Sequence, residues 1–175
     1  MVYIIKQPEA VTLQFILKQL SMIVAANGVL IWAFTKHLWK LRFFHPWLVS
    51  IPDLNGTYEG TLYSTYCDPE TGEPSAPLEA ILKIKQTFTS ISCVMRTGEM
   101  VSRSCTGEFV IDAEQQLKRL YYTYDSNPNQ TLKGKSPVHR GTCVFDIHEN
   151  GTIELKGQYW TDRQTCGDIS LEKVG

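Results

Sequence analysis

A stretch near the C-terminus, GQYWTDRQTCGDISL (157–171), gathers the side-chain types that bind nucleotides. Trp160 can stack on a base, a contact that is worth about 1–3 kcal/mol. Arg163, and Arg140 of the stretch VHRGTCV, can each hold a phosphate through the planar guanidinium fork. Tyr124 offers a second stacking surface. These residue types are those of a site for a small anionic ligand with aromatic bases. The structural alternative is that Trp160 packs against the fold and that the arginines form solvated ion pairs.

The motifs of common enzymes and metal sites are missing from the sequence. It contains no G-x-S-x-G elbow, no H-E-x-x-H helix and no phosphate-binding P-loop. The five cysteines are odd in number and include no C-x-x-C pair, so neither a disulfide framework nor a zinc knuckle is predicted. We therefore expect a protein without catalytic residues, metal or cofactor, in a reducing compartment.

The second part of the chain, 51–175, is predicted to form a β-barrel. Short β-rich runs alternate with turn residues, and no helical period is sustained. Loops rich in Pro, Gly and Asn at 68–77 and 126–137 and hairpin turns elsewhere favour an antiparallel meander. Eight strands of this kind suit a small closed barrel, with a two-sheet sandwich as the structural alternative. The predicted strands are 57–66, 78–88, 90–97, 101–112, 117–125, 140–148, 152–161 and 168–173.

Strand alternation predicts which side chains face the barrel interior. In the seventh strand the inward set begins with apolar residues and would continue through Thr161, Arg163 and Thr165, while Trp160 points the other way. The second strand also begins with apolar inward residues and ends at Gln86. We expect one end of the barrel to be an apolar plug and the other a polar mouth that admits a polar ligand.

The first part of the chain, 1–50, is predicted to be a membrane anchor. Residues 11–34 are mostly apolar and long enough to cross a bilayer. Basic and aromatic residues follow at once in TKHLWKLRFFHPWLV, as at a cytoplasmic membrane interface. A buried helix of a soluble protein and a helical hairpin broken at Asn27-Gly28 remain alternatives.

Charge divides the chain in the same place. Residues 1–50 hold five basic residues and one acidic residue, whereas the remainder holds 12 basic and 17 acidic residues. The acidic barrel disfavours binding to DNA or RNA polymers, which requires a basic surface. It does not exclude the binding of a small anion. The basic residues that follow the apolar segment predict, by the positive-inside rule, that the barrel lies in the cytoplasm.

Several motifs of residues 51–175, taken in order, resemble those of a known family. These are IPDLNGTYEG, LKIKQTFTSISCVM, SRSCTGEF, YYTYDSNP, HRGTCVF and GQYWTDRQTCGDISL. They resemble the membrane-anchored β-barrel effectors of bacterial CBASS antiphage systems, also described as SMODS-associated two-transmembrane β-strand-rich effectors. Tyr58 stands where this family's pattern leads us to expect Trp.

The resemblance implies a receptor for a cyclic dinucleotide that forms a homo-oligomer on binding it and disrupts the bacterial inner membrane. The expected ligand-binding residues are Tyr124, Asn127, Arg140, Trp160, Thr161, Arg163 and Thr165, with Lys85, Thr87 and Ser102 as weaker candidates. The polar residues inside the apolar segment, Gln14, Lys18, Gln19 and Asn27, are costly in lipid and would be satisfied in an assembled bundle.

Two other functions are compatible with the same fold. One is a membrane-tethered, lipocalin-like barrel that carries an apolar ligand, and the other is a structural module of the cell envelope. The polar end of the inward stripe favours the cyclic-dinucleotide receptor, because a lipid carrier needs an apolar stripe that continues to the mouth.

Overall fold

The computed structural model describes residues 8–45, 47–67, 72–98, 100–128 and 138–174, with helix side chains from residue 13 onward. The chain divides into two compact units, Met1–Phe44 and His45–Gly175. This boundary lies six residues before the predicted one at 50/51, where the sequence changes from an apolar, basic segment to short β-rich runs.

The first unit contains one long helix, α1 (Pro8–Lys36), followed by two single 3₁₀ turns at Leu38–Lys40 and Arg42–Phe44. Within α1, Leu13–Lys36 is long and apolar enough to cross a membrane, and none of its apolar window is buried. A helix in the core of a soluble protein would bury one face. α1 therefore has the length and the exposed apolar surface of a membrane-spanning helix, as the sequence predicts.

The helix continues without a break through Asn27 and Gly28. The Asn27 side-chain amide donates to the Ile23 carbonyl oxygen at 2.9 Å, and the Ser21 hydroxyl donates to the Leu17 carbonyl oxygen at 2.8 Å. Both polar side chains thus find a partner one turn earlier in their own helix. The predicted alternative of a hairpin broken at Asn27-Gly28 is wrong for this structure.

The second unit is a closed barrel of eight antiparallel strands in sequence order, in which β1 also pairs with β8. The strands are β1 (Gly56–Ser64), β2 (Leu78–Gln86), β3 (Ile91–Thr97), β4 (Met100–Asp112), β5 (Leu117–Pro128), β6 (His139–Asn150), β7 (Thr152–Thr161) and β8 (Cys166–Val174). All eight predicted strands are present, and the barrel is confirmed over the sandwich. Of the predicted loops, residues 68–71 and 129–137 lie outside the described residues, and Ser126–Pro128 continue β5.

The interior of the barrel is packed with large side chains. Tyr58, Leu82, Phe145 and Leu155 are fully buried there, and they belong to one continuous apolar cluster. An eight-stranded barrel is just wide enough for its own side chains to fill it. The lipocalin-like alternative needs an open apolar interior, so this packing disfavours it.

The barrel has two ends, which we name from the direction of β1. The entry end, where the chain enters β1, holds Gly56 beside Ile84 of β2. The distal end holds Ser64 of β1 beside Gly167 of β8, and it also holds Thr161 at the end of β7. Neighbouring strands run in opposite directions, so β2 ends at the entry end and β7 ends at the distal end.

Gln86 therefore does not belong to the same polar mouth as the end of β7. It is 5% exposed at the entry end, where its side-chain oxygen accepts from the Leu54 N–H at 2.8 Å. Its side-chain amide donates to the Pro52 carbonyl oxygen at 3.0 Å. The expectation that β2 repeats the polar ending of β7 toward one mouth is wrong, because Gln86 instead binds the backbone of the segment that leads into β1.

Candidate functional site

Two rows of side chains cross the outer face of the barrel near its distal end. Strand pairing places them side by side on β4 to β7, and the residues alternate with inward-facing ones. We call the first the threonine row; it consists of Thr106, Thr123, Thr142 and Trp160. We call the second the charged row; it consists of Arg103, Asp125, Arg140 and Asp162.

The threonine row has an aromatic residue at one end. β-Branched residues suit strands, and neighbouring threonines on paired strands can share hydrogen bonds. The Thr106 and Thr123 hydroxyl oxygens are 2.8 Å apart. Trp160 stands beside Thr142 in the register and is 48% exposed. The indole face is therefore accessible to a flat ligand.

The charged row alternates in sign, and its centre is Arg140. The Arg140 Nε donates to Asp125 Oδ1 at 3.1 Å, and the Arg140 backbone N–H donates to Asp162 Oδ2 at 3.2 Å. The Asp162 backbone N–H donates in return to the Arg140 carbonyl oxygen at 2.9 Å, which extends the pairing of β6 and β7 beyond the strand end. The Arg140 side chain is 82% exposed. The row thus presents a guanidinium fork to solvent, flanked by two carboxylates.

A cleft of about 640 Å³ lies over these rows. Its size is within the range of sites for small organic ligands, roughly 300–1,000 Å³. The residues that line it are Cys105, Thr123, Tyr124, Asp125, Arg140, Gly141, Thr142, Trp160, Thr161 and Asp162. The cleft therefore combines a stacking surface, hydroxyls and charges of both signs.

Tyr124 reaches the cleft from the inner side of β5. Gly141 permits this, because a Cβ at position 141 would overlap the Tyr124 hydroxyl and lie 2.7 Å from the Trp160 carbonyl oxygen. Burial raises the pKa of Tyr124 well above its ordinary value, and the nearby positive charge of Arg163 only partly opposes this. The phenol is protonated at neutral pH and can donate a hydrogen bond.

Behind Tyr124, the inner rim of the distal end is polar. Tyr159 faces inward from β7, and burial raises the pKa of its phenol while a hydrogen bond with Ser64 opposes the shift. Ser102 donates to Ser126 at 2.9 Å, also on the inner side. These hydroxyls make the rim polar, as predicted for the mouth of the barrel, and they form hydrogen bonds in pairs.

The turn between β7 and β8 is closed by its own threonines. The Thr161 and Thr165 hydroxyl oxygens are 2.7 Å apart, and the Thr161 backbone N–H donates to the Thr165 carbonyl oxygen at 2.9 Å. The Arg163 backbone N–H donates to the Thr161 hydroxyl at 3.3 Å. The two threonines therefore shape the turn. Arg163 is half-buried there, and its positive charge partly opposes the burial that raises the pKa values of Tyr124 and Tyr159.

The structure brings most of the predicted ligand residues together at the distal end. Four of them line the cleft: Tyr124, Arg140, Trp160 and Thr161. Arg163 and Thr165 lie in the adjoining turn, and Asn127 is the next outward position on β5 after Asp125. Ser102 lies inside the barrel against Ser126.

Two weaker candidates lie away from the cleft. Lys85 and Thr87 are at the entry end, where Lys85 faces outward and Thr87 bonds Ser90 across a turn. Two carboxylates of the cleft, Asp125 and Asp162, were not predicted as ligand residues. The motifs YYTYDSNP and GQYWTDRQ contain them, but only the cross-strand register places both beside Arg140.

The comparisons with known proteins cover both the barrel and part of the segment before it. A family model described as "Cap15, cyclic dinucleotide receptor domain" matches residues 49–173. The chain belongs to this family. A protein of Staphylococcus schleiferi named "CD-NTase-associated protein 15" is 32% identical over 155 residues, which cover 89% of this chain and 79% of the relative.

The family match includes every strand residue from β1 to Lys173 and thus the whole cleft. The barrel unit, His45–Gly175, is shorter than the 155 residues aligned with the Staphylococcus protein, so the similarity extends into the helical segment. Family membership confirms the resemblance read from the motifs. It also argues against a lipid carrier or a purely structural envelope module.

Proposed function

We propose that this chain is a CBASS effector that binds a cyclic dinucleotide in the cleft over the threonine and charged rows. The observation that carries the proposal is the placement of Trp160, Tyr124 and Arg140 around one cleft in a cyclic dinucleotide receptor domain. A cyclic dinucleotide combines flat bases with two phosphates. Stacking surfaces next to a guanidinium fork are the groups that such a ligand requires.

Each part of the cleft has a role in this proposal. One base stacks on the exposed face of Trp160, and the threonine and tyrosine hydroxyls bind ribose or base edges. Arg140 binds a phosphate, which replaces Asp125 as the partner of the guanidinium. Arg163 and Thr165 lie beside the cleft in the adjoining turn, and Asn127 lies beside it on the outer face of β5, where each can contact the ligand. Lys85, Thr87 and Ser102 have no direct role in this arrangement.

The helix supplies the effector step. We propose that α1 spans the bacterial inner membrane with the barrel in the cytoplasm, as the basic residues after the helix favour. Binding of the ligand drives assembly into a homo-oligomer that disrupts the membrane, provided that the ligand prefers the assembled state. The polar helix residues Gln14, Lys18, Gln19 and Asn27 are then covered by neighbouring helices in place of lipid. No catalytic step is required, and the acidic barrel would not bind DNA or RNA polymers.

Calorimetric titration of the full-length protein in detergent micelles with cyclic dinucleotides tests the binding step. Arg140→Ala removes a charged hydrogen-bond donor, and such bonds contribute about 1.5–3 kcal/mol, so we expect Kd to rise about 10- to 100-fold. Arg119→Ala is the matched control. Arg119 also lies on the outer face of β5–β6 and bonds an aspartate, Asp146, but toward the opposite end.

The two variants separate a role in binding from a general effect on the barrel. Arg119→Ala should bind with wild-type Kd. If Arg140→Ala also retains the wild-type Kd, the cleft is not the ligand site. In cells that produce a cognate nucleotidyltransferase, dye entry should require Arg140 in the same way, and full dye entry in the Arg140→Ala strain would contradict the proposal.

A further inference from the structure

Trp160 and Asp162 lie on the same outward side of the chain where β7 passes into the turn. They are two residues apart, which corresponds to about 6–7 Å along an extended strand. β7 ends at Thr161, but the Asp162 backbone N–H still pairs with the Arg140 carbonyl oxygen at 2.9 Å, which keeps Asp162 beside β6. A purine stacked on the Trp160 indole would therefore have one edge within reach of the Asp162 carboxylate.

The Asp162 carboxylate is held in place but keeps acceptor capacity. Its Oδ2 accepts one hydrogen bond, from the Arg140 backbone N–H at 3.2 Å. A carboxylate has two oxygens and about four acceptor positions. The second carboxylate of the cleft, Asp125, differs because it accepts from the Arg140 guanidinium, the group proposed to bind phosphate. Asp162 is therefore the carboxylate that can bind a base.

A carboxylate distinguishes the four bases by their donors. Guanine carries two adjacent donors, the N1–H and the N2 amino group, which match the two oxygens of a carboxylate. Adenine and cytosine present one amino donor next to a ring-nitrogen acceptor, and uracil presents one N–H between two carbonyl oxygens. In those cases an acceptor faces the carboxylate lone pairs, and an unmatched polar contact is costly in a partly desolvated cleft.

We infer that Asp162 is the specificity-determining residue of the cleft and that it selects guanine, with the guanine ring stacked on Trp160. The ligand class is thus a cyclic dinucleotide with at least one guanine. This inference rests on the proposed function, because it requires the cyclic dinucleotide to bind in the cleft. Arg140, which bonds both Asp125 and the Asp162 carboxylate, then meets the phosphate next to the selected base.

Titration of the full-length protein in detergent micelles with cyclic di-GMP, cyclic GMP-AMP and cyclic di-AMP tests the inference. The wild type should bind cyclic di-GMP or cyclic GMP-AMP at least 10-fold more tightly than cyclic di-AMP. Asp162→Asn keeps an oxygen for the Arg140 N–H but presents one acceptor and one donor, which match adenine. We expect this variant to lose at least 10-fold in affinity for the guanine ligand and to gain affinity for cyclic di-AMP.

Asp168→Asn is the matched control. Asp168 is exposed on β8, bonds Gln158 and does not line the cleft, yet the substitution removes the same charge. It should leave the ligand preference unchanged. Wild-type affinity for cyclic di-AMP that equals or exceeds the affinity for both guanine ligands, or an Asp162→Asn variant that still prefers guanine, would overturn the role of Asp162 while leaving the receptor function standing. Failure of these three ligands and of uracil-containing cyclic dinucleotides to bind would overturn the proposed function itself.

Discussion

The hydrogen bonds of Gln86 should contribute a large share of barrel stability. The side chain is 5% exposed and binds the Leu54 N–H at 2.8 Å and the Pro52 carbonyl oxygen at 3.0 Å. Asn55 completes the arrangement, since its side chain bonds both the backbone N–H and the carbonyl oxygen of Gln86 at 2.8 and 3.1 Å. Two amide side chains thus tie the segment before β1 to the end of β2.

Gln86→Leu should lower the free energy of unfolding by roughly 2–6 kcal/mol. The substitution leaves two backbone groups without their partner, and each buried unsatisfied group costs about 1–3 kcal/mol. The apolar burial of leucine offsets part of this cost, so the net loss should lie in the lower half of this range. Lys85→Leu is the control, because Lys85 is the neighbouring outward-facing residue, and exposed substitutions of this kind change stability by about 0.5 kcal/mol or less.

Guanidinium unfolding of the full-length protein in micelles, followed by near-UV circular dichroism of the barrel aromatics, measures both variants. Gln86→Glu gives a further test. Its ionised carboxylate faces the Pro52 carbonyl oxygen, whereas the protonated acid can donate to it, so burial and this contact raise its folded-state pKa. Stability of this variant should therefore be greatest at acidic pH and fall as pH rises. A Gln86→Leu protein within 0.5 kcal/mol of wild type would refute the reasoning.

Two further predictions concern packing inside the barrel. Gly141→Ala should lower the free energy of unfolding by about 1–3 kcal/mol, because the new Cβ overlaps the Tyr124 hydroxyl and crowds the Trp160 carbonyl oxygen. Gly98→Ala is the control and should lower it less, since the space around Gly98 is open. Equal unfolding midpoints for the two variants would contradict this. Burial raises the pKa of the Cys93 thiol to about 12, from an ordinary value near 9, so its contribution to stability is complete below pH 9 and is lost as pH rises toward 12. Cys93→Ala should have a shallower decline of unfolding free energy between pH 9 and 11 than wild type, and an unchanged slope would show that Cys93 is not the group responsible.

The sequence predicted the barrel well because its strands are marked by local signals. Alternation and turn residues located all eight strands, with most boundaries within two residues of those observed. The same alternation correctly placed Tyr159 inward and Trp160 outward. The apolar run at the N-terminus similarly predicted a helix of membrane-spanning length.

The candidate site was predicted only in part. The sequence shows which residue types are present in each strand, but it does not show which residues lie side by side on paired strands. Sequence parity favoured the inward Arg163 and Thr165 over Trp160. In the structure the cleft lies on the outer face, where Trp160 and Arg140 face it, while Thr165 bonds Thr161 to close a turn. Gln86 was assigned to the wrong end because parity gives the face of a strand and not its direction relative to a distant strand.

The sequence by itself determined the two-part organisation, the number of strands and the face on which each side chain lies, since these follow from periodicity within short segments. Only the tertiary structure decided which residues share a cleft. The register between β5, β6 and β7 aligns Asp125, Arg140 and Asp162 in one row, and the absence of a side chain at Gly141 lets Tyr124 reach that row. Both depend on pairing between residues far apart in the chain, which no local pattern records.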